Sequence, residues 1–179
     1  MTDKINTFTT ERLSFYQRFS LTLQLVSFSI IVCVVIMFFS KYDMIKLFLA
    51  LGIIYLFITL LVSIHRSVTY IYEIQIDANK ISVLGQHYNK NWITEIEIEN
   101  LDIFIRKKYT RVSCYYYLVI KSHDNKKFVV NKLFNWNYFI LYKLYEEFKK
   151  AKSEKINFEE KYLLEGIEKK AKDEFQWRN

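Results

Sequence analysis

The residues that could do chemistry in this chain are few and scattered. His65, His87 and His123 stand far apart, with no His-x-x-x-His or His-Glu-x-x-His spacing. A zinc site needs paired ligands, so no metal is expected. Cys33 lies inside an apolar run, out of reach of Cys114, and Cys114 sits in a strand-like stretch where a thiol packs rather than attacks. No serine-centred elbow appears, and three glycines in 179 residues leave no glycine-rich phosphate loop. The acidic alternation Glu95, Glu97 and Glu99 places three carboxylates on one solvated strand face rather than around a reacting atom. The chain therefore reads as a binding protein, not an enzyme, and no cofactor is expected. The suggestive cluster is Arg106-Lys-Lys-Tyr-Thr-Arg111 leading into Tyr115-Tyr-Tyr117. Its Arg106, Lys107, Lys108, Arg111, Tyr115 and Tyr117 are the candidate lipid- or ligand-binding residues. Beside an anionic leaflet each cation contributes about 1 kcal/mol. The plainer reading is a solvated hairpin tip with its aromatics in a core. Aromatic–basic interleaving also suits single-stranded nucleic acid, but 21 basic against 16 acidic residues over 65–179 is too mild an excess for that partner.

Two elements that could position such a cluster come first in the chain. No charge occurs from Phe19 to Ser40 or from Leu47 to Ile64. The 19-residue core Leu21–Phe39 would span about 28 Å as a helix, close to a bilayer's hydrocarbon thickness. Both runs are apolar on all faces, whereas a helix on a soluble core keeps a polar face. The first run starts too far in, and lacks the cleavage site, for a signal peptide. Lys41 and Lys46 lie in the short connection, against Arg12, Arg18 and Arg66 outside it. The bias favours a hairpin with both termini in the cytoplasm. Gln24, Ser27 and Gly52 are the expected packing positions, Gln24 bonding across the hairpin or to another copy. With no ionisable residue in mid-span, an ion-coupled transporter is disfavoured. Thr9 to Ser20 reads as a short interfacial helix, with Thr10 as its cap.

From Thr69 the period changes to two. Tyr70–Ile76, Lys80–Leu84, Trp92–Glu99, Leu101–Ile105, Val112–Lys121 and Lys127–Val130 alternate as six or seven short antiparallel strands. Asn135 can cap a helix from Trp136 with the stripe Trp136, Ile140, Leu144, Phe148 and Ala151. After the polar break Lys152–Lys155, Asn157 and Glu160 form a capping box for a second helix. That helix carries Tyr162, Leu163, Ile167, Ala171 and Phe175 on one side, as a docking or self-association helix or as a mobile tail.

The stretches Tyr72–Val83, Trp92–Ile98 and Tyr117–Phe128, with the helix from Trp136, resemble bacterial PH-like (YcxB-type) small membrane proteins, in which the β domain follows a two-helix membrane hairpin. The resemblance covers about residues 45–150. It implies binding of lipid, peptide or a partner protein, and no shared catalytic residues. The long helical tail and the charged N-terminal extension depart from that family. The outline is also similar to two-helix-plus-barrel effectors of bacterial antiviral systems. Composition fits this architecture: 51% hydrophobic and 18% aromatic content excludes disorder, and a mean hydropathy near zero averages two unlike regions. The expected molecule is an α+β membrane protein: residues 1–18 an N-terminal cytoplasmic or interfacial segment, 19–65 a transmembrane hairpin, 66–152 a PH-like antiparallel β-barrel or sheet with its closing helix, 153–179 an amphipathic helical tail. Its expected place is the bacterial cytoplasmic (inner) membrane. Its expected role is a scaffold or accessory subunit binding a partner protein or lipid headgroups, or self-associating through hairpin and tail. The alternative is an effector whose barrel senses a phosphate-bearing small molecule, such as a cyclic nucleotide, and drives oligomerisation of the helices.

Overall fold

Leu13–Thr69 forms a unit of its own, two antiparallel helices, in the computed structural model, which describes residues 5–110, 113–133 and 135–176. Helix α1 covers Ser20–Phe39 and α2 covers Asp43–Ser67, joined by three residues. The helix signal here is composition: long unbroken apolar runs, with Asp43 in the first turn of α2 and His65 and Arg66 in its last, each matched to the helix dipole. Both helices are long and apolar enough to cross a bilayer, at mean hydropathies of 2.5 and 2.7. Of the apolar side chains in the pair only Val26 is buried; Leu21, Phe28, Phe38 and Leu51 are among the many left exposed. Arg18 fastens the open end. Its Nε donates to the Leu13 carbonyl and its Nη1 to the Ser67 carbonyl, both at 3.0 Å. A cation thus meets a C-terminal carbonyl of α2 at the start of α1.

The other unit takes Met1–Arg12 together with Tyr70–Asn179. It opens with a strand where the sequence suggested an interfacial helix. β1 (Asn6–Thr9) pairs antiparallel with β2 (Thr69–Ile76), Asn6 opposite Ile76 and Thr9 opposite Glu73. Thr10 is therefore no helix cap: its N–H donates to the Tyr72 carbonyl and its hydroxyl to the Asn135 carbonyl. Alternation explains the strand, since Phe8 faces the core while Thr7 and Thr9 face out on β-forming residues. The segment expected to stand apart as residues 1–18 thus supplies an edge strand to the β unit.

Strands β3 (Lys80–His87) and β4 (Lys90–Glu97) complete a four-stranded sheet in the order β1-β2-β3-β4. β5 (Leu101–Tyr109), β6 (Cys114–Ser122) and β7 (Lys127–Val130) form a three-stranded sheet. A 3-10 turn, Ile98–Asn100, links the two, so Glu99 leaves the strand face it was expected to share with Glu95 and Glu97. Trp92 of β4 stacks on Phe128 of β7 with ring centres 5.9 Å apart. Between the sheets lie Ile74, Ile81, Val83, Leu101, Leu118, Ile120 and Val130, all buried.

Helix α3 (Tyr138–Ala151) closes this core with Leu141, Leu144, Tyr145 and Phe148. It starts later than the sequence suggested, so Trp136 precedes it and Ile140 is only half-buried. The cap is Asn137, whose side chain accepts from the Phe139 N–H at 2.7 Å, not Asn135. Asn135 instead donates to the Thr10 and Tyr70 hydroxyls, and Trp136 is pinned by its ring N–H to the Ile71 carbonyl. Helix α4 (Phe158–Gln176) carries the expected capping box: Glu160 N–H to Asn157 and Asn157 N–H to Glu160, both 2.9 Å. α4 docks on α3 and β5 through buried Leu164 and Ile167. Tyr162, expected on the same side as Leu163 and Ile167, is exposed, and the Phe175 side chain lies outside the described residues.

Candidate functional site

The β5–β6 hairpin carries the basic cluster, and its register sorts the cations. Leu101, Ile103 and Ile105 of β5 are buried, so odd positions face the core and even positions face away. Arg106 stands opposite Tyr117, Lys107 opposite Tyr116 and Lys108 opposite Tyr115. The run Arg106-Lys-Lys thus divides between two faces rather than forming one patch.

Lys107 belongs to the core-side face, beyond the end of the buried row. Its ammonium lies 5.2 Å from the Tyr109 ring centre and 5.7 Å from that of Tyr162 on α4. The Tyr109 hydroxyl beside it holds its pKa above the ordinary value. Beneath, burial raises the pKa of the Tyr116 phenol, which fits under α4 only because position 166 is glycine: a Cβ there would collide with its hydroxyl. Lys170 adds a bond from α4 to the Ser113 hydroxyl at 3.0 Å. Lys107 thus reaches α4 through the Tyr162 ring while remaining exposed.

The outward face is different. Arg106, Lys108, Lys121 and Lys127 are exposed there, and none has a carboxylate partner among the described residues. Between them lie Phe104, Tyr115, Tyr117, Val119 and Val129. The Arg106 guanidinium sits 5.7 Å over the Phe104 ring. Asp102, the acidic residue on this face, is neutralised by Lys152 at 3.0 Å and has His123 at 3.8 Å. Lys121, Lys127 and Phe104 were missed by reading a contiguous cluster; following the period of two across the turn at His123–Lys126 would have found them. Arg111 lies outside the described residues.

A second polar cluster joins α3 to α4. Lys149, 8% exposed, reaches Glu154 and Glu160, both at 2.9 Å. Lys152 reaches Glu154 at 3.0 Å and the Leu101 carbonyl at 2.7 Å. Lys149 and Lys152 hold the Glu154 carboxyl below its ordinary range. Burial works to raise Glu160, but Lys149 and the Asn157 N–H outweigh it and leave it lowered. The Tyr145 hydroxyl is buried beside Glu160 without a hydrogen bond of good geometry, and burial pushes its pKa up. This is a structural lock that the sequence reading saw only as a polar break.

Elsewhere the molecule offers less. An open depression of about 660 Å³ is lined by Ala78, Asn79, Glu97, Glu99 and Lys152 among others. No three of His, Cys, Asp and Glu come together among the described residues. In the helical unit, Gln24 and Ser27 are exposed rather than packed against α2, and a Cβ on Gly52 would meet nothing within 4 Å. The three expected packing positions are therefore not the contacts that join α1 to α2. No family model, curated protein or solved structure matches the chain.

Proposed function

We propose that the chain is a non-enzymatic membrane-anchored scaffold whose β unit engages anionic lipid headgroups through the outward face of β5, β6 and β7. The observation that carries this reading is the set of four exposed cations, Arg106, Lys108, Lys121 and Lys127, without acidic partners among the described residues and interleaved with Phe104, Tyr115 and Tyr117. Tyrosine suits the headgroup level, and arginine and lysine suit phosphate. The helical hairpin is the anchor: its two helices are long and apolar enough to span a bilayer and leave most of their apolar side chains exposed. The order of four strands, three strands and a closing helix supports the PH-like reading, with the hairpin inserted between the first two strands. That insertion bears on topology. β1 and β2 are neighbours in one sheet, so a chain that crosses the bilayer between them returns to the side it left. The slight basic excess outside the hairpin's connection favours the cytoplasm as that side, the membrane on this reading being a bacterial inner membrane.

The test uses the full chain in nanodiscs of neutral or anionic lipid, read by amide hydrogen exchange. Protection of β5 and β6 should rise with anionic lipid and fall again with salt or with the double variant Arg106→Glu/Lys108→Glu. Exchange indifferent to lipid charge would overturn the proposal.

A further inference from the structure

The helical unit leaves polar side chains that its own fold does not explain, and Gln24 carries the most donors and acceptors of them. Ser29, Thr59 and Ser67 each return their hydroxyl to a carbonyl one turn back, at 2.8, 2.9 and 2.8 Å. Gln24 and Ser27 make no hydrogen bond among the described residues, and both are exposed. Gln24 stands about 160° round the helix from Val26, the buried residue of α1, at 100° per residue. Helix α2 therefore cannot satisfy it. If the hairpin spans a bilayer, as proposed above, a carboxamide about one turn inside the apolar run faces lipid with two donors and an acceptor, which costs free energy while they are unpaired.

Its surroundings say what could pair it. Gln24, Ser27, Ile31, Val34 and Phe38 follow one another at spacings of three, four, three and four, and all five are exposed. That is the heptad seam of helices packed at shallow crossing angles, with small Ser27 letting the backbones approach beside Gln24. We infer that this seam pairs with the same seam of a second copy of the chain. A carboxamide both donates and accepts, so two symmetry-related Gln24 side chains satisfy each other, which a lipid tail cannot do. Copies inserted with one topology run parallel, so equal positions meet at equal depth. The inference rests on the membrane reading of the hairpin and adds to it the oligomeric interface.

The experiment is disulfide crosslinking of the full chain in the membranes in which it is expressed, on a Cys33→Ser/Cys114→Ser background. Ile31→Cys, on the seam, should give a covalent dimer. Val32→Cys, at nearly the same depth but 100° round the helix, should give at least about five-fold less. Adding Gln24→Leu, which keeps size and removes the polar pair, should lower the Ile31→Cys dimer by roughly five-fold or more. Equal crosslinking at both positions, no dimer at Ile31→Cys, or indifference to Gln24→Leu overturns the inference. An alkaline wash separates the two claims. Release of the chain sinks the membrane reading and this inference with it; retention with no seam dimer sinks this inference alone.

Discussion

Trp92 can lie flat against β3 because position 85 has no side chain. A Cβ on Gly85 would overlap the indole ring and come within 2.6 Å of the Tyr70 carbonyl oxygen, a backbone atom that cannot move aside cheaply. The indole in turn stacks on Phe128 of the other sheet. Gly85→Ala should lower stability by roughly 1–3 kcal/mol, the usual cost of overpacking. The check is a thermal melt of the full chain, and an unchanged Tm would show that Trp92 is not held there. The same attention to single positions separates Lys107 from its neighbours. Three consecutive cations look like one patch when written in a line. On a strand the middle one points the other way, and here, still exposed, it lies over the rings of Tyr109 and Tyr162. The outward function therefore belongs to Arg106 and Lys108 at one end of this face, with Lys121 and Lys127 at its other end, in register with Asp102.

At the scale of elements, α4 is part of the β unit's core, held at its far face by Leu164 and Ile167 and at its entry by the Lys149, Glu154 and Glu160 lock. That lock has a pH dependence whose sign follows from the shifts. Both glutamates are held below an ordinary value near 4.5. Their contribution is complete above that value and is lost as the pH falls towards and through the lower folded values. Amide exchange in α4 should thus accelerate on acidification below about pH 4.5, and the acceleration should shrink in a Glu154→Gln/Glu160→Gln variant. A dependence unchanged in that variant would place the titrating groups elsewhere. The element boundaries show what sequence carries. The two helices were legible because forty residues without charge in two runs admit few other readings. β2 to β7 were legible by alternation, and the capping box by the type and spacing of Asn157 and Glu160. β1 was not, because Asn-Thr-Phe-Thr is four residues long and its pairing partner lies across the whole hairpin. The cap of α3 was misplaced by two residues because Asn135 and Asn137 carry the same side chain. Only the tertiary partners Thr10 and Tyr70 claim the first of them.

For the whole molecule, the consequence of β1 is topological. The chain enters its β unit, leaves for two apolar helices and re-enters at the adjacent strand. Asn6 also bonds Glu147 of α3 at 2.9 Å, and Arg12 bonds Asn91 at 2.6 Å, so the short first strand is tied by side chains as well as by its ladder. The candidate face could be assembled from sequence only in part: the cations of β5 were visible, while the cations of β6 and β7 needed the register. The central claim is that this face meets anionic headgroups. It is tested most directly by an environment-sensitive fluorophore at Lys108→Cys, on a Cys33→Ser/Cys114→Ser background, with the full chain in nanodiscs. A blue-shifted emission in anionic nanodiscs, reversed by salt and absent in neutral ones, is the predicted result. The same emission in both lipids would contradict the account.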